Sequence, residues 1–360
     1  MDRRSFLKTS ALGGTAAAAA TLAAPAYAQG KRKLTMVTSW PRGFAGLADA
    51  ADKTAENINM ISGDTLEVEV KHAGELVGAF EVFDAVTAGQ ADMYHAADYY
   101  FVNQHPAWAF YTGVPFGMTA LEQNNWYYHD GGMERHHALG EIFGLKSFLA
   151  GNTGSQAGGW FRKEIAGPED FQGLKFRMPG LGGKALGYMG ASIQNLPGGE
   201  IYQALAAGAI DGTEWVGPWS DEKVGFQEIT KFYYTAGFHE PSAGLSVATN
   251  LEVFNDLTPA QQKAIEIGAG HANVWNLSQY QMNNGAALQR LASSGVKVLE
   301  FPDSVWDAFG AASAQVYDEF MGDDIFKETY DHYMASMKAS SGWIAQSSTA
   351  YVAQRDRVLG

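Results

Sequence analysis

Chemistry-bearing residues cluster in "GAIDGTEWVGPW", Gly208 to Trp219. Glu214 stands directly before Trp215 in a stretch punctuated by Gly212, Gly217 and Pro218, which reads as a turn rather than a helix interior. A carboxylate in such a turn is either solvated or holding something. Arg177 lies between Phe176 and Met178 in "LKFRMPG", on the same strand face as Lys175. A guanidinium there suits two-pronged binding of a carboxylate better than lysine would. Gln156, Glu214 and the backbone around Trp215 offer oxygen donors of the kind that suit Na⁺, Ca²⁺ or Mg²⁺. Equally, Glu214 can simply pair with Arg177, and spacing does not choose between the two. Tyr99, Tyr100 and Phe101, with Trp215 and Trp219, supply either a pocket wall or core.

Other patterns fail on context. "GLGGKA", Gly180 to Ala185, matches the G-x-G-x-x-A dinucleotide fingerprint, and Glu200 lies twenty residues beyond Gly180. That fingerprint needs its acid at the end of the next strand, whereas Glu200 follows "PGG" and starts a helix. "HDGGMERHH" gathers His129, Asp130, Glu134, His136 and His137, but it is not H-E-x-x-H. Its glycines interrupt a helix, so it reads as a solvated surface loop. There is no G-x-S-x-G. The absence of cysteine rules out thiolate nucleophiles, cysteine-bound zinc and iron–sulfur clusters. A net charge of −14 repels nucleic acid.

The elements that position these residues follow from periodicity. "KLTMVTSW" and "DTLEVEVKHAG" alternate as strands, with helical spacing between them in "GLADAADKTAENINMIS". "ELVGAFEVFDAVTAG" reads as a helix ending at Gly89, and "QADMYHAADYYF" as a strand running into an aromatic loop. The order β-α-β-α-β implies an open α/β sheet. Glycine-rich crossovers near 151–155 and 235–245 divide the chain into two lobes with a cleft between them. The first lobe takes 31–150 and about 242–300, and the second takes 151–241 and about 301–330. Residues 331–360 form a helical tail. A long helix begins at the capping box of Thr258 and Gln261 and stops at Gly295. At the other end, "MDRRSFLK", an Ala-rich run and "AYA" read as a twin-arginine export signal over residues 1–28.

Four segments, "NTGSQAGGWFR", "GLKFRMPG", "GGEIYQALAAGAIDGTEWVGPWSDEKVGF" and "FHEPSAG", resemble in order and spacing the substrate-binding proteins of TRAP transporters. The nearest likeness is to the branch that binds α-keto acids. The resemblance implies a two-lobed α/β periplasmic solute-binding fold with a long inter-lobe helix and C-terminal helices, and no enzymatic activity. It implies a small 2-oxo or 2-hydroxy monocarboxylate as ligand, pyruvate-like or lactate-like, delivered to TRAP permease subunits in the membrane. Arg177 would clamp the carboxylate. Gln156, Glu214 and the carbonyl of Trp215 would hold Na⁺ or Ca²⁺, with no organic cofactor. Asn152, Tyr100 and Glu240 match further pocket positions. Some members of this branch dimerise through C-terminal helices. The rival readings are a binding protein for another organic acid or a polyol, and an exported enzyme.

Overall fold

The computed structural model describes residues 30–360; the expected export signal lies outside the described residues. The strands are β1 (Arg32–Thr38), β2 (Leu66–Lys71), β3 (Met93–Ala96), β4 (Leu145–Asn152), β5 (Gly159–Phe161), β6 (Lys175–Arg177), β7 (Ser192–Gln194), β8 (Gly212–Thr213), β9 (Phe232–Tyr234), β10 (Gly244–Asn250) and β11 (Lys297–Leu299). They form two sheets. One has the order β2-β1-β3-β10-β4 and the other β11-β9-β5-β8-β6-β7. In β2 the alternation is direct: Leu66 and Val68 are buried while Glu69 faces solvent.

The chain crosses between the sheets after β4 and returns after β9. The two crossovers run side by side, with Thr153 N–H donating to the Ala243 carbonyl at 3.0 Å, Gln156 N–H to Glu240 at 3.1 Å and Gly237 N–H to Gln156 at 2.9 Å. This backbone pairing, far apart in sequence, brings Gln156 against Glu240.

The helices that accompany the sheets include α1 (Leu47–Ile61), α2 (Val82–Thr87), α3 (Gly132–Ile142), α4 (Gly180–Tyr188), α5 (Gly198–Ala206), α6 (Pro218–Val224), α7 (Pro259–Ser293), α8 (Asp303–Phe320), α9 (Asp324–Ile344) and α10 (Ala350–Leu359). Helix α7 starts at the Thr258–Gln261 capping box and ends before Gly295, whose φ of +85° is left-handed. It touches both layers. Asn57 Nδ2 donates to its Gly268 carbonyl at 3.0 Å, and its Asn284 Oδ1 accepts from Trp219 N–H at 3.1 Å.

Several expectations give way to tertiary contacts. Helix α2 is shorter than its pattern, because Glu81 turns back to accept from Gly78 N–H at 2.7 Å and closes a turn there instead. The histidine-rich stretch is helical from Gly132, not a surface loop. Gly131 supplies the left-handed turn, and a Cβ on Gly132 would lie 2.8 Å from the Trp126 ring. His136 is buried there, its Nε2 2.9 Å from Asp98 Oδ2 and its Nδ1 3.1 Å from the Tyr127 hydroxyl. Strand β11 pairs with β9 in the second sheet, and Phe326 and Tyr333 of α9 pack on Phe110, with ring centroids 5.2 Å apart in each case. From Ala345 onward no side chain is buried, and Trp343, Tyr351 and Leu359 are largely exposed. Among the described residues no helix is long and apolar enough to cross a membrane.

Candidate functional site

Strand register places Arg177 beside Glu214. β6 and β8 are parallel, with Phe176 opposite Gly212 and Arg177 opposite Thr213, and Glu214 N–H donates to the Arg177 carbonyl at 3.3 Å. Both side chains therefore leave the carboxyl ends of adjacent strands, the usual ligand-binding edge of an open α/β sheet. Gly212 has no substitute there, since a Cβ would meet the Trp160 carbonyl at 2.6 Å. Lys175 shares the strand face of Arg177 but sits at the exposed start of β6.

The turn after Glu214 is held by Asp221 of α6. Its Oδ1 accepts from Val216 N–H and Gly217 N–H, both at 3.0 Å, and its Oδ2 from Trp160 Nε1 at 2.9 Å. Burial pushes the Asp221 carboxyl up to about 7, against the pull of the Trp160 and Val216 donors. A Cβ at Gly198, on the first turn of α5, would lie 2.2 Å from the Trp215 ring, so glycine is needed for that ring to seat. The ring centroid lies 5.4 Å from the Arg177 guanidinium carbon.

Arg177 is the one buried lysine or arginine among the described residues, at 1% exposure. Its Nη1 pairs with Glu214 Oε1, and its Nε donates to the Leu196 carbonyl at 3.1 Å. Only Nη2 lacks a partner, so the guanidinium presents one free nitrogen rather than an empty two-pronged fork. Glu214 Oε2, Gln156 Oε1 and Glu240 Oε2 are likewise buried without a hydrogen bond. Gln156 Nε2 is fixed by the Thr153 hydroxyl at 3.3 Å. Burial and then Glu214 repulsion hold the Glu240 carboxyl well above the usual carboxylate range, against hydrogen bonds from Tyr99 and Gln156. The Tyr100 hydroxyl, beside Arg177, is pushed up to about 12 by burial.

The sequence candidates thus divide. Arg177, Glu214, Trp215 and Glu240 are neighbours in one buried cluster, and Tyr100, Gln156 and Trp215 line a small cavity. It is bordered by Trp40, Leu47, Tyr99, Tyr100, Gln156, Trp215 and Leu245 and holds about 10 Å³, the scale of one water or one ion. Asn152 is committed elsewhere. Its Nδ2 donates to Gln123 Oε1 at 2.8 Å and Ser242 Oγ at 3.0 Å, and its Oδ1 accepts from Gly154 N–H at 2.8 Å. His239 belongs to the cluster without having been singled out by sequence. It is buried, and its Nε2 lies 3.7 Å from Glu214 Oε2. Its only signal was adjacency to Glu240 in "FHEPSAG".

Two sheets joined by paired crossovers, closing over one guanidinium and several unpaired oxygens, define a ligand-binding protein. The chain belongs to the DctP family of TRAP solute-binding proteins: residues 37–324 match the bacterial extracellular solute-binding protein, family 7. It is 38% identical over 317 residues to a monocarboxylate 2-oxoacid-binding periplasmic protein of Nostoc sp., covering 88% of this chain and 87% of the relative. A TRAP periplasmic solute-binding protein from Pseudoalteromonas atlantica, solved with bound sodium and pyruvate, is 35% identical with a TM-score of 0.86, covering 89% of this chain and 98% of its own. A TRAP transporter solute-binding protein from Bordetella bronchiseptica is a mixed-occupancy dimer with copurified calcium and picolinate in one site. It is 32% identical with a TM-score of 0.89, covering 92% of this chain and 99% of that one. The fold is accordingly two-lobed, and the protein is a receptor rather than an enzyme.

Proposed function

We propose that this protein is the periplasmic receptor of a TRAP-type transporter and binds a small 2-oxo or 2-hydroxy monocarboxylate, pyruvate first, together with Na⁺ or Ca²⁺. The observation that carries this reading is the coexistence, in one buried cluster, of an unpaired guanidinium nitrogen and unpaired carboxylate and amide oxygens. Buried polar atoms are ordinarily satisfied, and these would be completed by an anion and a cation together. Arg177 Nη2 would donate to the ligand carboxylate, with Tyr100 beside it. Gln156 Oε1 and Glu214 Oε2, with the Trp215 carbonyl, would hold the ion, whose contribution is to neutralise charge and fix the ligand's oxygen atoms. Glu240 would face the same oxygens, and Asn152 would hold the crossover in place rather than touch the ligand. The names of the Nostoc and Pseudoalteromonas relatives support the ligand and ion classes. With one buried cationic side chain, a second carboxylate would go unmatched, which favours mono- over dicarboxylates.

Calorimetry on protein unfolded and refolded to strip copurified ligand tests this. Pyruvate should bind one to one in Na⁺ or Ca²⁺ and weaken roughly tenfold or more when both are withdrawn, with succinate and mannitol showing no comparable heat. Absence of pyruvate binding in every cation would overturn the reading. Twin-arginine export and pairing through the exposed C-terminal helices complete it. Fractionation of cells carrying Arg3→Lys with Arg4→Lys, and light scattering of a chain ending at Ile344, check those two parts: export by the variant or an unchanged mass would remove them.

A further inference from the structure

We propose that Glu214, His239 and Glu240 form a site for a divalent transition ion such as Zn²⁺ or Co²⁺. It lies beside the oxygen-donor site above and shares Glu214 with it. One ligand atom from each of the three lies within 4.8 Å of the others, and all three residues are buried. Both ring nitrogens of His239, Glu214 Oε2 and Glu240 Oε2 lack hydrogen-bond partners. The imidazole N–H reaches neither carboxylate oxygen within hydrogen-bond distance, with Nε2 3.7 Å from Glu214 Oε2, and such a buried set is unfavourable unless a cation completes it.

The chemistry of the donor set points to the class of ion. Na⁺ and Ca²⁺ take oxygen ligands and gain little from imidazole, whereas Zn²⁺, Co²⁺ and Ni²⁺ accept it readily. One imidazole and two carboxylates leave a fourth position open, as in zinc sites that admit an exogenous ligand. Here that position would be filled by an oxygen of the bound acid, and only this point rests on the proposed function. The outer partners are in place. The other Glu214 oxygen is held by Arg177, and the backbone at Glu240 is fixed by Gln156 N–H, which donates to its carbonyl at 3.1 Å.

His239 is also cradled. A Cβ on Gly182 of α4 would come within 2.8 Å of His239 Cβ, and one on Gly237 within 2.8 Å of the ring's Cε1. Glycine at both positions makes room for an imidazole that no hydrogen bond retains.

The test uses untagged, metal-stripped, refolded protein titrated with Co²⁺ and read by visible absorbance. The expected result is a saturable cobalt band at one equivalent, displaced by Zn²⁺ and altered by pyruvate. In His239→Gln the apparent cobalt affinity should fall roughly tenfold or more. His239→Cys introduces a thiolate into a chain with no cysteine and should add a sulfur-to-cobalt charge-transfer band. Read on His239→Cys protein that keeps the parent's circular dichroism and binds one equivalent, that gain of signal places the side chain on the ion. No saturable band in the parent, or an identical band in His239→Gln with no charge-transfer band in His239→Cys, would overturn the site. Pyruvate heat without a cobalt band would remove this inference alone. A cobalt band without pyruvate heat would remove the proposed function alone.

Discussion

Arg177→Ala is expected to weaken pyruvate binding by roughly a thousandfold, about 4 kcal/mol, the range for truncating one member of a buried charged contact. The substitution has a second effect. Glu214, fully buried, loses the partner of its Oε1, and leaving one member of a buried pair uncompensated costs about 3–5 kcal/mol of stability. Binding loss and unfolding would therefore be confounded in the single variant. Arg177→Ala combined with Glu214→Gln isolates the stability cost, which it should largely remove; the binding effect of Arg177 is read from the single variant under conditions where it stays folded. Arg177→Lys keeps the charge on a point donor but cannot reach the Leu196 carbonyl, Glu214 and the ligand at once, so it should fall between parent and alanine. Calorimetry beside urea denaturation reads both quantities. A folded Arg177→Ala protein that binds pyruvate within threefold of the parent would remove Arg177 from the ligand.

Much of this arrangement was legible in the sequence because it is carried by local signals. The ends of α7 are written in Thr258, Gln261 and Gly295, and the alternation of β2 is visible in three residues. The two crossovers are marked by glycine runs. What was not legible depends on contacts between distant segments. His136 turns inward because Asp98 and Tyr127 wait for it, from 38 and 9 residues away. Asn152 is drawn into a network with Gln123 and Ser242 that no spacing rule anticipates. The return of α9 to Phe110 rests on an aromatic cluster whose members are more than two hundred residues apart.

The Arg177–Glu214 pair shows the same division at the candidate site. Each residue was conspicuous alone, and spacing left open whether Glu214 meets the arginine or an ion. The structure assigns one oxygen to Arg177 and leaves the other unpaired, so the two readings are compatible. Parallel register between β6 and β8 produces this result. It sets two side chains from 37 residues apart at neighbouring strand ends with one edge of each still free.

Asp221→Ala should destabilise the protein as much as Arg177→Ala, because it strands three buried donors at once: Trp160 Nε1, Val216 N–H and Gly217 N–H. Each unsatisfied group costs about 1–3 kcal/mol, and partial relaxation brings the expected total to about 3–5 kcal/mol by urea denaturation. The same loss frees the turn that carries Glu214 and Trp215, so any surviving folded protein should bind pyruvate poorly. Asp221→Asn examines the charge separately. The folded carboxyl lies near 7, above its ordinary value of 3.8, so the folded state holds this proton more tightly than the unfolded chain does. Its contribution to stability is therefore full below about pH 4 and declines as pH rises to about 7. Asparagine resembles the protonated acid and does not titrate. The parent's lead over Asp221→Asn should accordingly be largest at acid pH and shrink towards neutrality. A lead that widened with pH would mean that the three N–H donors outweigh burial and that Asp221 works as an anion in the folded turn.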